Sequence, residues 1–324
     1  MNAKRSSSLI VMMCLAAMVV FAVVIAGCTG NGSSTTSATP AATAAPTAVM
    51  TTQGSTAAAP SVPAPSAAPG NQTIKISGST TVLPIVQAAA DAYEAAHPDA
   101  NIQVTGGGSG VGVQAIGAKT VDIGMSSRDV TKDEMAKYPG FVITTIAQDG
   151  IAVIVNPQNT IKQITKDQVA GIYTGNTTKW TEITGAGVPS TNNEIVIIGR
   201  DSASGTRTYF DQSVLNNAND TLSMQEKNSN GAVLQTVQQT PLSIGYVSIG
   251  FLTPDIKALP YSADGVTFVT PSVATVKDKS YPISRNLYLI TNGKPTGLTA
   301  DFINFILSPD GQKIVADQGY VTLS

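Results

Sequence analysis

Three short turns constrain this chain more than any other feature. They read Ser-Gly-Ser-Thr at 77–80, Gly-Gly-Gly-Ser-Gly at 106–110 and Ser-Ala-Ser-Gly-Thr at 202–206. Each follows a stretch patterned as a strand and leads into one composed as a helix. Ile74 and Ile76 alternate with polar residues before the first turn, and "VLPIVQAAADAYEAAHP" runs from it to a stop at Pro98. "NIQVT" enters the second turn and "VGVQAIGAKT" leaves it, while "VDIGMSSR" supplies a third strand and "EIVIIGR" carries the chain into the third turn. Alternating strands and helices imply an α/β fold with mostly parallel sheets. In such sheets ligands bind beyond the carboxyl ends of the strands, where these turns lie. Further along, "FVITTIAQDGIAVIVNP" reads as two strand-like runs. "TKDQVAGIYTG" reads as a helix capped by Thr165, and "GAVLQTVQQTP" as another helix. "SIGYVSIG" and "YPISRNLYLIT" read as strands, and the C-terminal stretch is helical around a break at Pro309.

The small side chains of the turns leave backbone amides accessible, and their hydroxyls add donors. First-turn amides of a helix have no internal partner and favour an anion. Three such starts converging would cage a small oxyanion. Arg200 or Arg207 would add charge and a planar fork of donors. Gly, Ser and Thr are also ordinary turn and cap residues, so one turn alone carries little. The stretch "GGGSGVG" matches a dinucleotide fingerprint only loosely, and the Gly-Lys-Ser/Thr of a mononucleotide loop is missing. Nothing in the pattern would break a bond. The single histidine, His97, precedes Pro98 at a helix end, no aspartate cluster has metal-site spacing, and the turn serines lack a visible base. With a net charge of -2 and 12% charged residues, the chain also lacks the basic excess of a nucleic-acid binder.

The N-terminus has a different character. Lys4 and Arg5 precede an apolar run from Leu9 to Ala26, then Gly27 and Cys28. This is the layout of a secretory signal over 1–27, with an uncleaved membrane helix as the rival reading. "IAGC" resembles the lipobox of exported lipoproteins, which implies lipidation of Cys28. The only other cysteine, Cys14, lies in the apolar run, so the exported part has no internal disulfide. Residues 29–70 hold no charged or aromatic residue and are rich in Ala, Thr, Ser and Pro. Such a segment cannot bury enough apolar surface to fold, so 28–70 reads as a lipid-anchored, disordered spacer.

Seven stretches occur in one order: "ISGSTTVLP", "GGGSGVGVQAI", "VDIGMSSRDVT", "GIYTGNTTKWTEI", "GRDSASGTRTYF", "SIGYVS" and "YPISRNLY". Together, over about 71–324, they resemble the extracytoplasmic phosphate-binding proteins of high-affinity ABC importers. The resemblance implies a two-lobed periplasmic-binding-protein-like fold with a hinge. Lobe 1 would take 71–149 and 246–324, and lobe 2 would take 150–245. It also implies a monomer that uses no cofactor and carries inorganic phosphate to a membrane permease. By motif, Thr80, Ser109, Ser127, Arg200, Ser204, Gly205 and Thr206 would hold the anion, and Arg207 would point along the helix surface. One departure stands out. Ser127 occupies the place of an aspartate that accepts a hydrogen bond from protonated phosphate, and Ser202 replaces another aspartate. The acceptor role could pass to Asp122, Asp129, Asp149 or Asp201. Arg128 could add field to the cleft or pair with a local carboxylate. The remaining alternatives are another oxyanion such as sulfate or molybdate, a cell-surface adhesion domain, or an enzyme on phosphate esters.

Overall fold

The computed structural model describes residues 72–183 and 193–323. The leader, Cys28 and the spacer lie outside the described residues.

The first lobe begins with β1 (Gln72–Gly78), α1 (Leu83–Ala96), β2 (Ala100–Thr105), α2 (Ser109–Gly117), β3 (Ile123–Ser126) and α3 (Lys132–Lys137). β1 pairs in parallel with both β2 and β3. Pro84 in the first turn starts α1 without loss of a helical bond. Ile85, Val86, Ala89, Ala90 and Tyr93 form its buried face. At the far end His97 caps the helix, stacks on Tyr93 and bonds the Tyr93 carbonyl through Nδ1.

β4 (Phe141–Val155) then passes out of this lobe. It is one continuous strand of 15 residues, where the sequence pattern suggests two. Gly150 sits mid-strand because there is no room for more: a Cβ there would press on Val276, Ile249 and Tyr281. Ile146 and Ala147 belong to the first lobe's core, whereas Ile151 to Val155 belong to the second.

The second lobe comprises β5 (Ile164–Thr165), α4 (Lys166–Tyr173), β6 (Val196–Arg200), α5 (Gly205–Ser213), β7 (Gln225–Lys227), α6 (Asn230–Gln239), β8 (Ser243–Ser248), β9 (Lys257–Ala258), β10 (Tyr261–Ser262) and α7 (Val273–Lys277). Thr165 caps α4 in a reciprocal box with Gln168. Trp180 is fully buried, and its indole N–H donates to the Leu242 carbonyl.

The chain returns through β11 (Ser284–Asn292) and ends in α8 (Gly297–Leu307) and α9 (Pro309–Asp317), divided where Ser308 caps α9 ahead of Pro309. This return comes later than the boundary at 246 suggested by sequence. Ile256, Leu259, Tyr261, Val276, Tyr281 and Ile283 all pack in the second core. The cause is strand pairing: β9 joins β4 and β10 joins β5, which ties 249–283 to the second lobe.

The main sheet runs β2-β1-β3-β11-β4-β8-β6-β7. Pairing is parallel among β1, β2 and β3 and among β6, β7 and β8, and antiparallel where β11 meets β3 and β4 and where β4 meets β8 and β9. The lobes are thus parallel α/β units joined by antiparallel crossing strands. Arg285 of β11 lies opposite Asp149 of β4, and Ser284 lies opposite Gly150.

Candidate functional site

The three turns singled out by sequence meet between the lobes. Thr80 and Thr81 stand at the start of α1, where the Ser79 hydroxyl accepts from the Thr81 and Val82 amides. Gly107 and Gly108 have φ of 143° and 98°, which fold the second turn back so that the Gly108 amide donates to the Gly78 carbonyl. Ser109 then opens α2 and is fully buried. Its Oγ accepts from the Ser127 amide at 3.0 Å and lies 3.3 Å from Ser127 Oγ.

The second lobe brings the third turn against this pair. Ser204 caps α5 by accepting from the Arg207 amide. Gly205 lies so near that a Cβ would overlap Ser109 Oγ and approach Ser127 Oγ. The Gly110 amide donates to the Ala203 carbonyl across the cleft at 3.0 Å. Thr206 Oγ1 is 3.0 Å from Thr81 Oγ1, so hydroxyls of the two lobes bond directly.

Arg200 closes β6 and is 1% exposed. Its Nε donates to the Lys227 carbonyl, and its Nη2 donates to Thr80 Oγ1 at 3.1 Å and to the Asn228 carbonyl. Nη1 is buried without a hydrogen-bond partner. A buried, unpaired guanidinium donor is costly, and an anion is the partner that removes the cost. Burial, aided by the like charge of Arg285, draws the Arg200 guanidinium down to about 10 against the pull of Tyr246 and Asp201. An anionic ligand would reverse that shift.

All seven sequence-chosen residues, Thr80, Ser109, Ser127, Arg200, Ser204, Gly205 and Thr206, are therefore buried around one interlobe locus. Arg207 points away from it and meets Asp211, Asp220 and Glu226. Arg128 is committed to a two-pronged pair with Glu134 at 2.7 and 2.8 Å. Three of the four candidate acceptors are also engaged. Asp122 takes the Lys75 amide, Asp129 takes the Tyr288 hydroxyl, and Asp149 takes Arg285 and Ser248. Asp201 keeps a buried Oδ1 without a partner.

Sequence reading missed three members. Asn230 opens α6, is fully buried, and donates through Nδ2 to Thr81 Oγ1 at 2.9 Å and Thr80 Oγ1 at 3.4 Å. Its signal was present, since "EKNSNG" repeats the order of strand, polar turn and helix. Thr81 adjoined a chosen residue. Arg285 had no local signal: it enters only because β11 lies against β4, and its Nη2 reaches Thr81 Oγ1 at 3.3 Å and Thr206 Oγ1 at 3.0 Å.

Two parallel α/β lobes on antiparallel crossing strands, with uncharged donors and two buried arginines, Arg200 and Arg285, between them, define a two-lobed binding protein for a small anion. Residues 37–310 match the family model described as a PBP superfamily domain. The chain is 35% identical over 252 residues to the phosphate-binding protein PstS of Bacillus subtilis, covering 78% of this chain and 81% of that one. It is 32% identical over 257 residues to the protein of the same name in Borreliella burgdorferi, covering 76% and 89%. A phosphate-bound crystal structure of a substrate-binding protein from Clostridium perfringens superposes with a TM-score of 0.70 at 32% identity, covering 78% of this chain and all of that one. The chain belongs to the PBP superfamily and, within it, to the PstS family of phosphate-binding proteins.

Proposed function

We propose that this protein is the extracytoplasmic solute-binding component of a phosphate ABC importer. It captures inorganic phosphate between its lobes and hands it to a membrane permease. The observation that carries this reading is the buried Arg200 fork, with Nη1 unpartnered amid the hydroxyls and helix starts of both lobes. Neutral donors beside buried guanidinium groups suit an oxyanion that must be held and later released. The names of the relatives and the bound phosphate of the Clostridium perfringens structure support the choice of anion.

Phosphate oxygens take Arg200 Nη1, the Ser109 and Ser127 hydroxyls, and the amides of the α5 start at Gly205 and Thr206, with Thr80 and Ser204 bracing the wall. Binding draws the lobes together because the donors are divided between them. The chain acts as a carrier and not a catalyst. Among the described residues, no group of three or more His, Cys, Asp or Glu could hold a metal ion. His97 caps the end of α1 remote from Thr80 and Thr81, about 20 Å along the helix axis. In the same reading Cys28 carries a lipid on the outer face of the membrane. The spacer over 28–70 holds the lobes clear of the surface as a monomer. Among the described residues, no helix is long and apolar enough to cross a membrane.

Calorimetry of the full chain in detergent against phosphate, arsenate, sulfate and molybdate tests the reading. Phosphate should bind with a one-to-one endpoint and more tightly than sulfate or molybdate. Heat with sulfate or molybdate alone would reassign the anion. Turnover of a phosphate ester would make the chain an enzyme.

A further inference from the structure

Arg285 is the second buried arginine of the cleft, and its Nη1, like that of Arg200, is buried without a hydrogen-bond partner. Its side chain is 1% exposed, and its partner Asp149 is fully buried. Arg285 Nε and Nη2 both donate to Asp149 Oδ2, at 3.1 and 2.8 Å, and the Ser248 hydroxyl occupies Oδ1 at 2.6 Å. Asp149 and Arg285 are direct neighbours in the β4–β11 register, on the two strands that pass between the lobes. A pair held within one antiparallel ladder stays together when the lobes move. The other bonds of Arg285 differ in kind. Nη2 also donates to Thr81 Oγ1, at the start of a first-lobe helix, and to Thr206 Oγ1, in the first turn of a second-lobe helix. Those two helices separate when the cleft opens, so Nη2 can serve both threonines only in the closed arrangement. On its outer side Arg285 helps wall a cavity of about 420 Å³ with Tyr209, Asn286 and Tyr288.

We infer that Arg285 is a positioning residue that latches the closed cleft, anchored by Asp149 on the crossing strands and clasping Thr81 of one lobe and Thr206 of the other. This rests on the reading of the cleft as a phosphate site. The latch sets how long a captured anion stays, because its bonds form after entry and must break before release. It acts on the closed population and hence on dissociation. The planar fork matters. A lysine in its place can pair with Asp149 as a point charge but cannot serve the carboxylate and both hydroxyls.

The test is stopped-flow and calorimetric phosphate binding by the full chain in detergent, for wild type, Arg285→Lys, Thr81→Val and the double variant. Arg285→Lys should raise the dissociation rate about 10- to 100-fold, the range of ordinary coupling energies, with the association rate within about threefold of wild type. Thr81→Val needs no change to the buried ion pair, so it keeps the question open to measurement if the lysine variant folds poorly. It should speed dissociation in the same direction. The double variant should lose less than the product of the single losses. A wild type that gives no heat with phosphate overturns the phosphate reading and the latch with it. A wild type that binds, with dissociation unchanged in Arg285→Lys and Thr81→Val or with fully independent effects in the double variant, overturns the latch alone.

Discussion

Gly205 and Ser109 meet across the cleft with no room for a single added carbon: a Cβ on the glycine would overlap the serine Oγ. The two residues open helices in different lobes. Their contact therefore measures how far the lobes can close. Gly205→Ala should hold the cleft ajar while leaving each lobe intact. Alanine even favours the helix, by about 1 kcal/mol over glycine. The expected result is phosphate affinity reduced by about 100-fold with an unchanged or higher melting temperature of the free protein. Titration and thermal melts on the same sample check both halves. A drop in melting temperature that parallels the affinity loss would count against the closure argument.

Arg200 is expected to carry the largest single share of affinity. Arg200→Met keeps much of the apolar stem and removes the fork. Losing a buried, hydrogen-bonded charge opposite an anion costs about 2–5 kcal/mol. That corresponds to roughly 30- to 5,000-fold in dissociation constant. Thr80 and the Lys227 and Asn228 carbonyls lose their donor at the same time, so some loss of stability accompanies it. Calorimetry is the readout. Arg207→Met is the contrast, since the Arg207 guanidinium meets the Arg200 carbonyl and the carboxylates of Asp211, Asp220 and Glu226, and none of the seven cleft residues but Arg200. Its phosphate affinity should stay within about tenfold of wild type.

Much of this arrangement was legible before the fold was known, because its parts are local. A strand, a turn of small hydroxyl residues and a helix start leave a readable mark, as at 77–80, 106–110 and 202–206. Thr165, Ser204 and Pro309 announce helix starts by the same local logic. What was not legible depends on pairing between distant strands. The join of β4 hides behind Gly150, which looks like a break in one dimension and is a close-packing point in three. The segment 249–283 belongs to the second lobe only because β9 and β10 pair there. Arg285 enters the cleft from a strand whose own pattern is an ordinary alternation of buried and part-buried residues. Side chains that act through register leave no spacing to read.

Ser127 offers a test of anion choice. It is 1% exposed, bonds Ser109 and faces Gly205. A hydroxyl can donate or accept, so the wall at this point tolerates anions with or without a proton. A carboxylate would only accept. Ser127→Asp should therefore penalise sulfate, which brings no proton, more than hydrogen phosphate, which does. Leaving two acceptors face to face costs about 1–3 kcal/mol, or about 5- to 150-fold in the ratio of dissociation constants. Competition titrations of phosphate against sulfate at neutral pH give the ratio directly. An unchanged ratio would remove Ser127 from the anion's first contacts.

The acids around Arg207 should make stability depend on pH. Burial, reinforced by the charge of Asp220 and opposed by Arg207, pushes the Asp211 carboxyl up to about 7. Asp211 Oδ1 and Asp220 Oδ1 are both buried without hydrogen-bond partners, so one guanidinium does not satisfy the two carboxylates. An unfolded aspartate titrates near 4. Between about pH 4 and 7 the folded protein thus binds the more protons, and unfolding free energy falls as pH rises through that window. Above about 7 the slope from this group vanishes, since both states are ionised. Asp211→Asn keeps the shape and removes the titration. It should melt higher than wild type at pH 8 and lose that advantage toward pH 5, where the wild-type carboxyl is protonated in the fold. Melting curves of both proteins from pH 4.5 to 8.5, in one ionic strength, would show the two lines converging on the acidic side. Parallel lines would place the proton elsewhere in the cluster.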